Sequence, residues 1–333
     1  GKYVKKYILL LLVLTILLTP LSSMAMKIPG YEGGIQNENT YKEVIFITGK
    51  PIIMEGTLTI KSKEKNNIIT ETYTYKLENL EEKAKLSRTI KMTANLEPKG
   101  NQIISNRTLD RFKETVNIDG KRYEAKNEYY QWNQGTITYQ TPLLEYYSGD
   151  FLARKTYTVD KGREMVTVET LGILVGYDSP WSSTETQTIE YIIEAENKID
   201  TKDKWQGTAT VETSYNKTKD YSYAENIPQQ ISFRGGYRIV EQDENVLKYN
   251  YDLPRIVGDT IVKGRNKGKD SFSIDTNPIV TRLNIPQVRD ALGHEYEEEL
   301  LLLSSMEALP LSNAYIGPNS PISRGDFAKA IAK

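Results

Sequence analysis

One histidine and no cysteine limit the chemistry open to this 333-residue chain. Without cysteine there is no thiolate nucleophile, no Cys-ligated zinc, no iron–sulfur cluster and no disulfide. The histidine is His294, so the long middle region cannot build a Ser-His-Asp triad, and a His-rich metal site is excluded. Carboxylates and aromatic rings remain. Glu169, Glu185, Glu190 and Glu194 are of the type that hydrolyses glycosides in pairs, at separations set by the mechanism. With 44 acidic residues, chance pairs are abundant, and most such acids read as solvated strand or loop positions. Trp132, Trp181 and Trp205, with 23 tyrosines, could form a sugar-stacking platform; core or cross-strand packing is the plainer use of such rings. No phosphate-cradling glycine loop, calcium loop or zinc signature occurs. No catalytic residue, metal site or cofactor is assigned.

The most defined local chemistry lies near the C-terminus. Ser323 is placed to cap a helix, its hydroxyl accepting a backbone N–H. Asp326, three residues on, can reach back to the cap and favours the positive helix end. Arg324 falls at the first helical position, where its side chain can swing outward. Before this, Leu292, Tyr296, Leu300 and Leu303 recur at helical spacing and predict an amphipathic helix, extended by Met306 and Leu309 and ended by Pro310. Leu311 to Pro321 reads as a loop, with Gly317-Pro318-Asn319 as its turn.

The remaining elements divide into three. Lys2, Lys5 and Lys6 precede an apolar run from Tyr7 to Leu18. Pro20 and the small-residue site Ser23-Met24-Ala25 follow, so residues 1–25 read as an export signal. The run is about a dozen residues, short of the roughly 20 that span a bilayer, and no cysteine follows it to carry a lipid; the alternative is an uncleaved membrane anchor. Residues 26–283 alternate Thr, Tyr, Val and Ile with polar residues, as in Val44-Ile45-Phe46-Ile47, Thr72-Tyr73-Thr74-Tyr75 and Ile189-Glu190-Tyr191-Ile192-Ile193. A period of two predicts antiparallel sheet with one wet face. Turns are expected at Asn66-Asn67, Pro98-Lys99-Gly100, Asp119-Gly120, Asp160-Lys161-Gly162 and Gly235-Gly236. Leu77 to Met92 fits either a helix or a charged hairpin. Gly-Thr recurs at Gly56, Gly135 and Gly207, either as a duplicated module or as glycines that open Thr-rich strands. Residues 284–333 form the third part. The predicted fold is mainly β: a large antiparallel, sandwich-like region followed by a small α-helical unit.

The tail resembles an S-layer homology repeat. Val288-Arg289-Asp290, then Gly293-His294, the leucine helix, and Ile316-Gly317-Pro318-Asn319-Ser320-Pro321-Ile322-Ser323-Arg324-Gly325-Asp326-Phe327-Ala328 follow that family's order. The family has an Asp-containing entry, a His-Trp-Ala helix start, and a loop ending in Pro-Asn-x-x-Ile-Thr-Arg-Ala-Glu-Phe-Ala. Glu295 stands in place of the usual Trp, and Ser323, Gly325 and Asp326 replace Thr, Ala and Glu. The resemblance covers residues 286–333, about one repeat, where the family usually has three. It implies binding to a secondary cell-wall polysaccharide, often capped by pyruvylated sugars. Arg324 is then the expected contact to the sugar carboxylate, through its fixed donor fork, with Asp290 and His294 as further contacts. The alternatives are an exposed helix-start side chain for Arg324, a turn or cap residue for Asp290 and a locally packed ring for His294.

Hydrophobic residues are 38% and charged residues 26%, as in folded soluble domains. A net charge of −1 gives no long-range field for nucleic acid or an anionic membrane. The expectation is a secreted, wall-associated surface protein. The rivals are a wall-anchored carbohydrate-active enzyme and an envelope carrier, with the β-rich region as the active or ligand-binding part.

Overall fold

The computed structural model describes residues 33–327, apart from 142–143, 180, 201–202, 225–235, 259, 285–286, 307–308, 310–313 and 326. Residues 1–25, expected to be an export signal, lie outside the described residues, as do Asp326, Gly235 and the residues after Phe327.

Fifteen strands among these residues form one antiparallel sheet. In chain order they are β1 (Ile35–Gln36), β2 (Tyr41–Ile45), β3 (Ile52–Lys65), β4 (Ile68–Asn79), β5 (Ala84–Lys99), β6 (Gln102–Ile118), β7 (Lys121–Lys126), β8 (Tyr130–Gln140), β9 (Glu145–Val159), β10 (Glu164–Asp178), β11 (Ser182–Asn197), β12 (Lys204–Ala224), β13 (Gly236–Val257), β14 (Thr260–Ile274) and β15 (Ile279–Asn284). Nearly every strand pairs with its sequence neighbour, because short hairpins leave a meander as the simplest connection. The expected large antiparallel sheet is therefore present.

Alternation sets the inner face. In β5, Ala84, Leu86, Arg88, Ile90, Met92 and Ala94 point inward and are buried, while Lys85, Ser87 and Lys91 face water. The sheet rolls onto itself. Asn245 Nδ2 donates to the Gln36 carbonyl and Asn37 Nδ2 to the Asp275 carbonyl, each at 2.8 Å, so β1 lies beside the far end of the strand order. Phe46, just after β2, packs against Tyr191 of β11 and Tyr249 of β13, with ring centroids 5.8 and 6.2 Å apart. Rings from opposite walls thus fill the interior.

Turn chemistry positions the hairpins. Asn66 and Asn67 have φ of 54° and 61°, and Asp119 and Gly120 have 44° and 84°, the left-handed pair that suits tight hairpins. Leu77 to Met92 is a hairpin joining β4 to β5, not a helix. β7 and β8 are one strand broken by a helical turn at Asn127–Tyr129. There the Asn127 side chain accepts the Phe112 N–H and fills the gap in the ladder.

The tail departs from expectation in one respect. Its helix, α1, spans Glu297–Ser305, so Leu292 and Tyr296 precede it and are exposed. Gly293 takes φ 75°, its N–H donates to Glu297 Oε2 at 2.8 Å, and the Tyr296 N–H donates to His294 Nδ1 at 3.1 Å. That capped turn delays the helix by more than one turn. Tyr237 of β13 donates its hydroxyl to the Glu298 carbonyl at 2.5 Å, tying α1 to the sheet.

Candidate functional site

The tail site is built on a clasp. After the buried Val288, Asp290 accepts the Ile316 N–H on Oδ1 (3.0 Å) and the Gly317 N–H on Oδ2 (2.7 Å). The Arg289 N–H also donates to the Ala314 carbonyl at 2.9 Å. Two separate segments, 288–291 and 314–317, are thereby held side by side. Both Asp290 oxygens accept a backbone N–H, so this residue positions the loop. His294 caps the turn before α1, and its Nε2 lies 3.4 Å from Asn319 Oδ1, which links helix start to loop. It too acts on the local fold.

Beyond the clasp, the Ser320 N–H donates to the Gly317 carbonyl at 2.8 Å and closes the turn expected at Gly317-Pro318-Asn319. The Phe327 N–H donates to the Ser323 carbonyl at 2.9 Å. A carbonyl that accepts the first helical bond defines the cap position, so Ser323 stands where its type predicts. Arg324, the next residue, is exposed. Of the three residues expected to meet a ligand, the fold offers Arg324 to solvent and uses Asp290 and His294 to support the loop leading to it.

The Ile316 N–H, aided by that of Gly317, lowers the Asp290 carboxyl below its ordinary 3.8. A depressed carboxylate stabilises above its unfolded value and is lost as pH falls through its folded value. The Ile316 and Gly317 amide resonances should therefore hold their folded shifts at pH 5 and move with a midpoint below 3.8. A midpoint at or above that value contradicts the clasp.

Of the residues singled out in the β-rich region, Trp132, Glu169 and Glu190 line one shallow cavity on β8–β11, and the others lie apart from it. Trp132 stacks on Phe151 with centroids 5.0 Å apart. Trp181 is exposed in the β10–β11 hairpin, and Trp205 lies at the opposite end, near the β11–β12 turn. Glu185 is buried and accepts from Tyr147 and Gln187, Glu169 pairs with Arg154, and Glu194 accepts from Gln206. A cavity of about 620 Å³ opens among the hairpins at the Trp205 end, crossed by the ion pairs Lys50–Glu82, Lys83–Asp119 and Lys121–Glu164. Among the described residues no group of three or more His, Asp or Glu side chains could hold a metal ion.

Sequence reasoning missed the strongest electrostatic feature. Arg88 is fully buried and donates through both terminal nitrogens to Glu43 (2.9 and 2.8 Å) and through Nε to Glu114. Tyr41 donates to Glu43, Tyr157 donates to Glu114, and Lys155 Nζ lies 3.7 Å from Glu114. Burial pushes the Glu114 carboxyl up, but the charges of Arg88 and Lys155 and the hydrogen bonds from Arg88 and Tyr157 outweigh it and hold it at about 2. Two cations and two anions balance. A second inner pair joins Arg107 to Glu71, with Tyr73 donating to the same carboxylate. The signal was the parity of β5, which places residue 88 on the same face as Leu86 and Ile90.

The features together define a class: a rolled antiparallel meander, stiffened by buried ion pairs, that carries a small clasped helical tail. No family model, curated protein or solved structure matches the chain.

Proposed function

We propose that the chain is an exported surface protein held non-covalently on a cell wall through its C-terminal unit. In this reading Arg324 meets an acidic sugar of a secondary cell-wall polysaccharide, such as a pyruvylated residue. The exposure of Arg324 directly after the Ser323 cap carries the reading. A planar guanidinium on a fixed backbone can pair with a carboxylate through two parallel hydrogen bonds. Leu292, Tyr315, Ile322 and Phe327 are also exposed, which suits a unit whose apolar face packs against another repeat of its kind. The β-rich region is the part displayed. A second reading, in which that region itself binds a ligand or acts on carbohydrate, draws on the cavity of about 620 Å³ beside Trp205 and Tyr123.

Sedimentation with purified walls tests the anchoring. The chain should pellet with walls, and a chain ending at residue 283 should stay in the supernatant. Equal retention of the two removes the anchoring role.

A further inference from the structure

The outer face of the rolled sheet should be polar, yet β9 and β10 carry a run of exposed apolar residues there. Leu152 is 58% exposed, Ile173 55% and Val175 53%. They belong to a panel ordered by register. Along β9 and β10 the outward pairs are Tyr146↔Tyr177, Ser148↔Val175, Asp150↔Ile173, Leu152↔Leu171 and Arg154↔Glu169. The panel is bounded by Ile137 and Tyr139 of β8 on one side and Ile192 of β11 on the other. The Tyr146 and Tyr177 rings lie 6.4 Å apart, and Arg154 Nε lies 3.4 Å from Glu169 Oε1. A shallow cavity of about 410 Å³ runs between Leu152, Leu171 and Ile192.

We propose that this panel is the interface of a homodimer, formed face to face about a two-fold axis that runs parallel to the strands between β9 and β10. Such an axis lays β9 of one copy over β10 of the other at the same level. Each register pair then meets its own transposed copy: leucine on leucine, tyrosine on tyrosine, and each Arg154 over the second copy's Glu169. Isologous interfaces require this self-complementarity. The four charges close into an alternating ring at one edge of the panel. Asp150 does not spoil the fit, because it leans over Gly135, where a Cβ would stand 3.8 Å from its Oδ1.

The panel has adequate area. Four strands at about 4.8 Å spacing and five rows at about 6.8 Å give on the order of 600 Å² per copy with side-chain margins. Two such faces bury about 1,200 Å², the lower bound for specific complexes, so a micromolar association is expected. A lipid surface fits less well, since Asp150, Arg154, Glu169 and Glu190 would enter the apolar layer. The proposal is independent of the tail. Its consequence for wall binding would be avidity, with two anchoring units in one particle.

Sedimentation equilibrium over roughly 1 to 100 µM protein should show the chain passing from monomer to dimer. Arg154→Glu places four acids in the ring, and Glu169→Arg places four bases. Each variant should remain folded by circular dichroism and lose at least tenfold in dimer affinity. An equimolar mixture of the two should form a heterodimer. Restoration in the mixture cannot arise from the intrachain Arg154–Glu169 pair, because neither variant has one. A monomeric parent chain, single variants that still dimerise, or a mixture that fails to associate would each overturn the proposal. So would a monomer that instead co-sediments with neutral phosphatidylcholine vesicles.

Discussion

Arg88→Met should destabilise the folded sheet by roughly 3 to 5 kcal/mol, the usual cost of removing one partner from a buried ion pair. The guanidinium is the hub. It bonds to Glu43 through two nitrogens and to Glu114 through a third, and it lies 4.8 Å from the centroid of the Tyr75 ring. Without it, Lys155 still faces Glu114, but Glu43 keeps only the Tyr41 hydroxyl among these partners. A fall of roughly 10 °C in Tm follows at a few degrees per kcal/mol for a chain of this size. The pH dependence should also change sign. In the parent, the depressed Glu114 carboxyl stabilises above the ordinary 4.5 and is lost as pH falls through about 2. In the variant, a buried unpaired carboxylate has a raised pKa, so its destabilising effect is relieved on acidification. Between pH 7 and 5 the variant should gain stability while the parent does not. Melting curves at pH 5, 6 and 7 check both statements; parallel curves would remove the network from its central place.

Gly56→Ala should cost about 3 kcal/mol, at the upper end for an overpacked site, whereas Gly135→Ala should be neutral or slightly stabilising. Both glycines begin the same Gly-Thr pattern and both sit inside strands. Gly56 lies between Tyr41 of β2 and Leu77 of β4. A Cβ there would meet the Lys76 carbonyl oxygen at 2.0 Å and the Leu77 Cα at 2.9 Å, which are backbone atoms in a paired ladder and cannot move alone. A Cβ at Gly135 would find its nearest neighbour at 3.6 Å, the tip of Asn106. Replacing glycine at an unstrained position reduces the freedom of the unfolded chain and can stabilise by a few tenths to 1 kcal/mol. Urea unfolding of the two variants against the parent separates the sites. Equal effects would mean that the β3–β4 contact is looser than described.

These two cases show what could be read from the residues. Strand alternation and turn chemistry are local. They make the β-rich region and the Asn66-Asn67 and Asp119-Gly120 hairpins legible in the residues alone. Parity also placed residue 88 on an inner face, but a lone arginine among 43 basic residues reads as solvated until its partners are known. Those partners, Glu43 and Glu114, lie far along the chain, and only the rolled sheet brings them together. The different fates of Gly56 and Gly135 depend on neighbouring strands in the same way. In the tail, leucine spacing gave the helix but not its start, because the Gly293 turn and the His294 cap outweigh periodicity. Residue type and resemblance make Asp290 and His294 expected ligand contacts. Their hydrogen bonds support the loop, and Arg324 is exposed beyond it.

The anchoring account narrows to one guanidinium, and its direct measurement is calorimetric titration of the chain with a pyruvylated disaccharide released from cell-wall polymer. The account predicts binding by the parent, a loss of at least tenfold in Arg324→Ala, and partial recovery in Arg324→Lys, which restores charge without the planar fork. Removing the pyruvyl group from the sugar should weaken the parent as much as losing the arginine does. Unchanged affinity in Arg324→Ala, with Asp290 and its loop intact, would contradict the account and leave the tail without a wall-binding role.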